Sequence, residues 1–500
     1  MTIFLDGQSL TLTQIKDVAR RSARVSLRRS QLLRIRKSRQ AVERKLREEI
    51  PLYGITTGVG KLATTRISAN QAAELQRNIV LSHSAGVGPF LPQDVTRAVV
   101  LLRANTLAKG YSGVRAEVIQ FLIDLLNHRI HPRVPEVGSV GASGDLAPLA
   151  HVALVLIGEG EVEYRGMVRR TQSALKKIAL KPLSLAAKEG LSLVNGTQAT
   201  LGIMTLALLD AERLCDLAEL AGAMSVDALR GSPAAFDRRI HAVRPHPGQV
   251  RVAKRLSKLL KGSQIRESHR GCKKVQDAYS LRCIPQVHGA CRDLVRYVRS
   301  VVEAEINSAT DNPLVFWEDD EILSGGNFHG EPLALAADAL SIALSELASI
   351  SERRVARLLD ASLSGLPPFL TRKSGLHSGF MTAHLTSVAA LGENKVLSHP
   401  ASVDSLPTSG EQEDHVSMSY TAALKAWKIR ENLETALAVE FLCAAQALDL
   451  LRPLRSSRPL EKAHHAIRNL VPFLDADRPL YRDILAMKNL LREDTLLECL

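Results

Sequence analysis

The sequence predicts a mainly α-helical fold, a long central helix bundle with a mixed N-terminal region carrying active-site loops. Aromatic residues make up only 4% of a 500-residue chain that is 45% hydrophobic, and such an Ala- and Leu-rich composition favours helix packing over a sandwich or barrel. Three segments of about thirty residues, starting near 199, 331 and 418, have no interior proline and keep apolar residues at helical spacing, for example Leu340, Leu344 and Leu347. Each is too apolar to face solvent all round, so they imply a bundle of helices about 40 Å long. The third observation is where glycine and proline fall: they crowd into turns at 51–60, 84–92 and 131–144.

Taken in order, helical patterns are expected near 12–48, 69–83, 92–109 and 113–128, between those turns. EVEYRGMVRR (161–170) reads as a hairpin with Arg165-Gly166 at its tip. The expected organisation is therefore an N-terminal region over 1–198, the long-helix bundle over 199–450 and a C-terminal helical segment over 451–500.

Several function classes are set aside on composition. No apolar run reaches the roughly 18 residues of a membrane span, and the opening MTIFLDGQSL lacks the basic and apolar regions of a signal peptide. Six cysteines are scattered with no C-x-x-C pair, which fits reduced thiols in the cytoplasm. No H-E-x-x-H or Cys/His cluster suggests a metal. The net charge of +13 is concentrated in residues 16–47, which hold thirteen Lys or Arg against Asp17 and Glu43. That segment could bind a phosphate backbone, making a non-catalytic helical nucleic-acid-binding scaffold the distant alternative. No aromatic residue interleaves it, and a solvated Arg-rich helix face is the plainer reading.

GSVGASGDLAPLAH (138–151) is the most unusual stretch. It fits neither a phosphate-binding G-x-x-x-x-G-K-[ST] nor a G-x-G-x-x-G, and Gly141-Ala142-Ser143-Gly144 has the wrong spacing for a nucleophile elbow. A turn capping the helix that begins near Asp145 and Pro148 would explain it structurally. A chemical alternative exists. Attack of the Gly144 nitrogen on the Ala142 carbonyl carbon closes a five-membered ring, and small residues permit that approach. Loss of water, including the Ser143 hydroxyl, leaves a methylene on an electron-poor imidazolone, an electrophile that no ordinary side chain supplies.

This stretch resembles the signature of the aromatic amino-acid ammonia-lyases, whose Ala-Ser-Gly forms 4-methylideneimidazole-5-one (MIO). The resemblance runs from YGITTGVGKLA (53–63) to GEQEDHVSM (410–418). It implies MIO built from Ala142, Ser143 and Gly144, no external cofactor, a small amino-acid substrate, and a homotetramer with shared active sites. It also implies a catalytic acid/base role for Tyr53 and a place beside the MIO for Asn195, in LVNGTQA. In QDAYSLRCIPQVHG, Arg282 becomes the partner of the substrate carboxylate, Tyr279 a second phenol near the reacting centre and Gln276 a polar support. Phe328 would pack against ligand or ring. Ser82-His83 and Gln412-Glu413-Asp414-His415 match the histidine-specific members, so His83 and Glu413 would read an imidazole, with Glu413 also a candidate base. Thr56, Val59, His384 and Gly410-Glu411 depart from that pattern, and His384 and Glu411 add titratable groups. The expected activity is elimination of ammonia from L-histidine to give trans-urocanate. A tyrosine or phenylalanine ammonia-lyase or aminomutase using the same MIO is the nearer alternative.

Overall fold

The computed structural model describes residues 2–48, 50–272 and 275–500. They form two compact units, the first from Met1–Ala207, Arg299–Asp338 and Pro400–Leu424, the second from Leu208–Val298, Ala339–His399 and Lys425–Leu500. The three long helices are Gln198–Ala228, Glu331–Leu359 and Ser419–Leu450, and Ile284–Glu305 adds a fourth.

The first unit opens on a strand, Thr2–Leu5, paired in parallel with Arg24–Leu27. The helix expected over 12–48 is thus two, Leu12–Arg21 and Gln31–Arg47. The first starts on a capping box between Thr11 and Gln14 and stops at Ser22, which is left-handed at φ 55°. The next residues then switch to a period of two, placing Val25 in the core between exposed Arg24 and half-buried Ser26. Helices Gln93–Ala108 and Ala116–Asn127 pack together behind this ribbon. Arg97, buried within the first of them, donates to Val18 O at 2.8 and 3.0 Å and to Leu126 O at 3.2 Å, satisfying carbonyls in the last turns of two neighbouring helices.

Two of the predicted turn regions contain short strands. Val87–Phe90 pairs with Pro135–Val137, and Ile130–Pro132 joins the hairpin Glu161–Tyr164/Met167–Arg170 as a third strand. The hairpin forms as its sequence suggests, with Arg165 and Gly166 both at positive φ in the two-residue turn.

Most of the N-terminal basic residues are occupied within the fold. Arg39 donates to the carbonyls of Gly113 and Ala187 and pairs with Glu43. Arg34 reaches the Tyr111 hydroxyl, Arg44 and Lys45 share Asp320, and Arg20 and Arg28 pair with Asp94 and Asp6. Lys37 lies 4.5 Å over the Trp317 ring.

In the second unit, buried Arg354 makes a two-point pair with buried Glu440, which also accepts from Ser225 and Ser351. Glu331–Leu359 has the length and hydropathy of a membrane span, but 67% of its most apolar window is buried inside the protein. All six cysteines carry free thiols.

Removing one member of a buried pair strands the other charge. Arg354→Met should therefore cost about 3–5 kcal/mol. Arg353→Met is the neighbouring control: Arg353 pairs with Glu352 but its side chain is 63% exposed, and its loss should cost under about 1 kcal/mol. Melting temperatures of the two variants measure the contrast.

Candidate active site

The site is built in the first unit, where the loop 138–145 is held from both sides. Val140 O accepts from Met418 N at 2.8 Å and Gly141 O from Ser417 Oγ at 2.9 Å. Asp145 N donates to Gly196 O at 2.7 Å. Gly141 and Gly144 both sit in the left-handed region, at φ 68° and 70°. A Cβ on Gly141 would collide with the Ser417 and Ser419 hydroxyls, and one on Gly144 with the Gly196 carbonyl. Glycine is required at both by conformation and by space.

Asp145 corrects the simple capping reading. It stands at the N-cap of Leu146–Leu156 but makes no side-chain bond to that helix. Its carboxylate instead accepts from Thr200 N at 2.7 Å and Thr200 Oγ1 at 2.8 Å, at the start of Gln198–Ala228, and from Ser139 Oγ at 3.2 Å. Burial raises its pKa to about 6, against the pull of these hydrogen bonds.

The structure joins Glu413 and Asn195 to Ser143 and brings His83 and Tyr53 near Glu413. The Ser143 hydroxyl donates to Glu413 Oε1 at 2.7 Å, and Asn195 Nδ2 donates to the Ser143 carbonyl at 2.7 Å. Asn195 Oδ1 is buried without a hydrogen-bond partner. Glu413 Oε2 accepts from Thr408 Oγ1 at 2.6 Å and Ser409 Oγ at 2.8 Å. Burial pushes the Glu413 pKa up, but these three hydroxyls, with nearby His83, outweigh it and leave the carboxyl below its ordinary value. His83 Nδ1 lies 2.8 Å from Ile79 O, a carbonyl that can only accept, so Nδ1 carries a hydrogen.

Tyr53 Oη accepts from Gly60 N at 2.9 Å. Its pKa is raised by burial, with Glu413 adding to the rise and the Gly60 bond opposing it. A base at neutral pH needs the opposite shift, so Tyr53 is held as a neutral phenol with its own hydrogen available to donate.

The remaining predicted residues are not all joined to this group. Phe328 is half-buried in the turn before Glu331–Leu359. Gln276, Tyr279 and Arg282 belong to the second unit. There the Arg282 guanidinium lies 4.7 Å over the ring of Tyr279, itself 70% exposed, and Arg282 Nε is buried without a hydrogen-bond partner. His384, also in the second unit, bonds Glu352 at 2.6 Å. Thr56 is occupied locally, donating to Ile50 O and accepting from Leu52 N.

Sequence reasoning missed Thr408, Ser409, Ser417 and Thr200 as parts of the site. The only signal for them was a run of small hydroxyl residues beside the glycine turns. Among the described residues no cluster of three His, Cys, Asp or Glu side chains is placed to hold a metal.

The Ala142-Ser143-Gly144 backbone is thus clamped in a tight turn, with an ionised carboxylate on the serine hydroxyl and an amide on the serine carbonyl. A helical scaffold presenting such a turn defines a lyase of the amino-acid type. The chain belongs to the aromatic amino acid lyase family, whose model matches residues 10–469. It is 54% identical to a histidine ammonia-lyase of Anaeromyxobacter sp. (strain K), over 98% of this chain and 99% of that one. The solved histidine ammonia-lyase from Trypanosoma cruzi superposes with a TM-score of 0.92 at 42% identity, covering 100% of this chain and 95% of that one. The tyrosine aminomutase from Streptomyces globisporus gives a TM-score of 0.94 at 39% identity, covering 100% and 98%.

Two glycines at nearly the same φ separate conformation from space. Gly166→Ala, at φ 72° with nothing within 4 Å of the new Cβ, should cost about 1 kcal/mol. Gly144→Ala carries the same strain plus the collision with Gly196, and its melting temperature should fall clearly below that of Gly166→Ala.

Proposed function

We propose that this chain is a histidine ammonia-lyase, converting L-histidine to trans-urocanate and ammonia. The observation that supports the substrate is the Glu413 carboxyl, held below its ordinary value and with His83 close enough to contribute to that. A neutral imidazole offers one N–H donor, which a carboxylate accepts, and one acceptor nitrogen. A phenol offers a hydroxyl, and a phenyl ring neither.

The residues fit an MIO formed from Ala142, Ser143 and Gly144: the turn is tight, Gly144 has no Cβ, and Asn195 Oδ1 is a buried acceptor without a partner beside it. That group supplies an electrophile for the substrate amine, a poor leaving group by itself. Asn195 holds the Ser143 carbonyl through Nδ2, and its free Oδ1 orients the amine. Arg282 binds the substrate carboxylate through its unpartnered guanidinium edge, and Tyr279 beneath it handles the β-proton with Gln276 in support. Tyr53, kept neutral, donates or relays a proton. Phe328 packs against the ligand. The assembly is a homotetramer with shared active sites, and we place the enzyme in the cytoplasm.

Purified protein incubated with histidine, tyrosine and phenylalanine should release ammonia with histidine and develop the ultraviolet absorbance of urocanate. Silence with all three from folded protein would sink the assignment, and preference for tyrosine would favour the lyase or aminomutase alternative. Ser143→Ala should abolish turnover, keep its helical fold and lack the two-water mass loss of the wild type.

The hydroxyls on Glu413 give a pH test. Their loss in Thr408→Val/Ser409→Ala raises the Glu413 pKa. Because the carboxylate form is required, activity is then lost sooner as the pH falls. The acid limb of kcat/KM should therefore move to higher pH than in the wild type.

A further inference from the structure

Phe328 and Glu413 lie on separate loops, and each is followed at once by a histidine-bearing turn. His329 Nε2 donates to the His415 carbonyl at 3.2 Å, and its Nδ1 accepts from Glu331 N at 3.3 Å. The two bonds together specify the neutral Nε2–H tautomer. The His329 and His415 rings are parallel to within 1°, with centroids 5.9 Å apart. On its own loop, His329 N donates to Gly326 O, while on the other Val416 N donates to Ser405 Oγ, so each side of the contact is tied into its own turn.

We propose that His329 is a positioning residue that latches the Phe328 loop to the Glu413 loop through its Nε2–H bond to the His415 carbonyl. The inference rests on the placement of Phe328 and Glu413 at the substrate. Glu413 is held from its far side by Thr408 and Ser409, which belong to its own loop and move with it. The bond from His329 refers that loop to the turn carrying Phe328, where Gly330 also lies close against Ser417 and Ser419. Its loss leaves both side chains intact but removes the directional bond that sets their register, and small misplacements of positioning groups reduce rate steeply. The stack adds area without direction. The hydrogen bond sets register.

Glutamine and asparagine separate the two ring nitrogens. A glutamine amide nitrogen takes the place of Nε2 and keeps the donor to His415. An asparagine oxygen takes the place of Nδ1 and keeps only the bond to Glu331. With histidine as substrate, H329Q should hold kcat/KM within about twofold of the wild type. H329N should fall about tenfold, the scale of one net hydrogen bond. Both variants should show the wild-type intact mass and melting temperature. Equal activity of H329Q and H329N, at either level, overturns the latch, as does a loss confined to H329Q. A variant that unfolds or fails to reach the wild-type mass also overturns it, because His329 would then serve folding or loop chemistry. Failure of the functional assignment is a separate result: the wild type itself would release no ammonia from histidine.

Discussion

The geometry of the site depends on one buried carboxylate. Asp145 reaches across from the N-cap of Leu146–Leu156 to the first turn of Gln198–Ala228, where it accepts from both the amide and the hydroxyl of Thr200. Thr200 Oγ1 is in turn 3.3 Å from Ser419 Oγ, at the start of Ser419–Leu450. Three helix N-termini therefore meet at the reactive turn, each contributing partial positive charge from its free N–H groups. Direct bonds offset only part of the dehydration cost of burying Asp145, whose pKa stays raised to about 6. Without it, the Thr200 amide and the Thr200 and Ser139 hydroxyls would lose their shared acceptor.

This arrangement explains why so flexible a sequence is held so firmly. A turn able to close a ring must be made of residues with little steric bulk, and such residues supply almost no packing of their own. The holding groups are consequently outside it: Gly196 and Asn195 on one side, Ser417 and Met418 on the other, Glu413 on the serine hydroxyl. Every backbone oxygen from Val140 to Gly144 for which a bond is described is engaged by a donor from another segment or from Ser139. Reactivity and rigidity are thus divided between the loop and its surroundings.

That division also sets how far the sequence could be read. Gly141 to Asp145 stood out because the chemistry needs those residue types next to each other. The long helices and the 161–170 hairpin were legible because period and turn chemistry are local. Thr408, Ser409 and Thr200 were not, because a hydroxyl contributes to a site only through its partner: Thr200 finds Asp145 55 residues away, and Thr408 and Ser409 turn onto Glu413 only because their own loop folds back. The interruption at 22–30 was hidden for another reason. Arginines flank Val25 and Leu27 as readily on a helix as on a strand, and only pairing with Thr2–Leu5 distinguishes the two. The basic composition misled in the same way: Arg34, Arg39, Arg44 and Lys45 are placed by carbonyls, a phenol and carboxylates distant in the chain.

The electrostatics of the cleft then follow from which acceptors lack a hydrogen. The Thr408 and Ser409 hydroxyls donate to Glu413 and remain there when the Ser143 hydroxyl is lost, His83 Nδ1 lies 2.8 Å from Ile79 O, and Asn195 Oδ1 is buried without a hydrogen-bond partner. The neutral Tyr53 phenol is the contrasting donor. A cleft lined chiefly by acceptors disfavours a neutral, aprotic side chain, since the desolvated acceptors would stay unpaired at a cost of about 1–3 kcal/mol each. It favours a substrate rich in N–H groups at both ends, an ammonium at one and an imidazole at the other. Selectivity of this kind comes less from shape than from refusing to leave polar groups dry, so under the proposed reading the Thr408 and Ser409 hydroxyls share in substrate choice with Glu413.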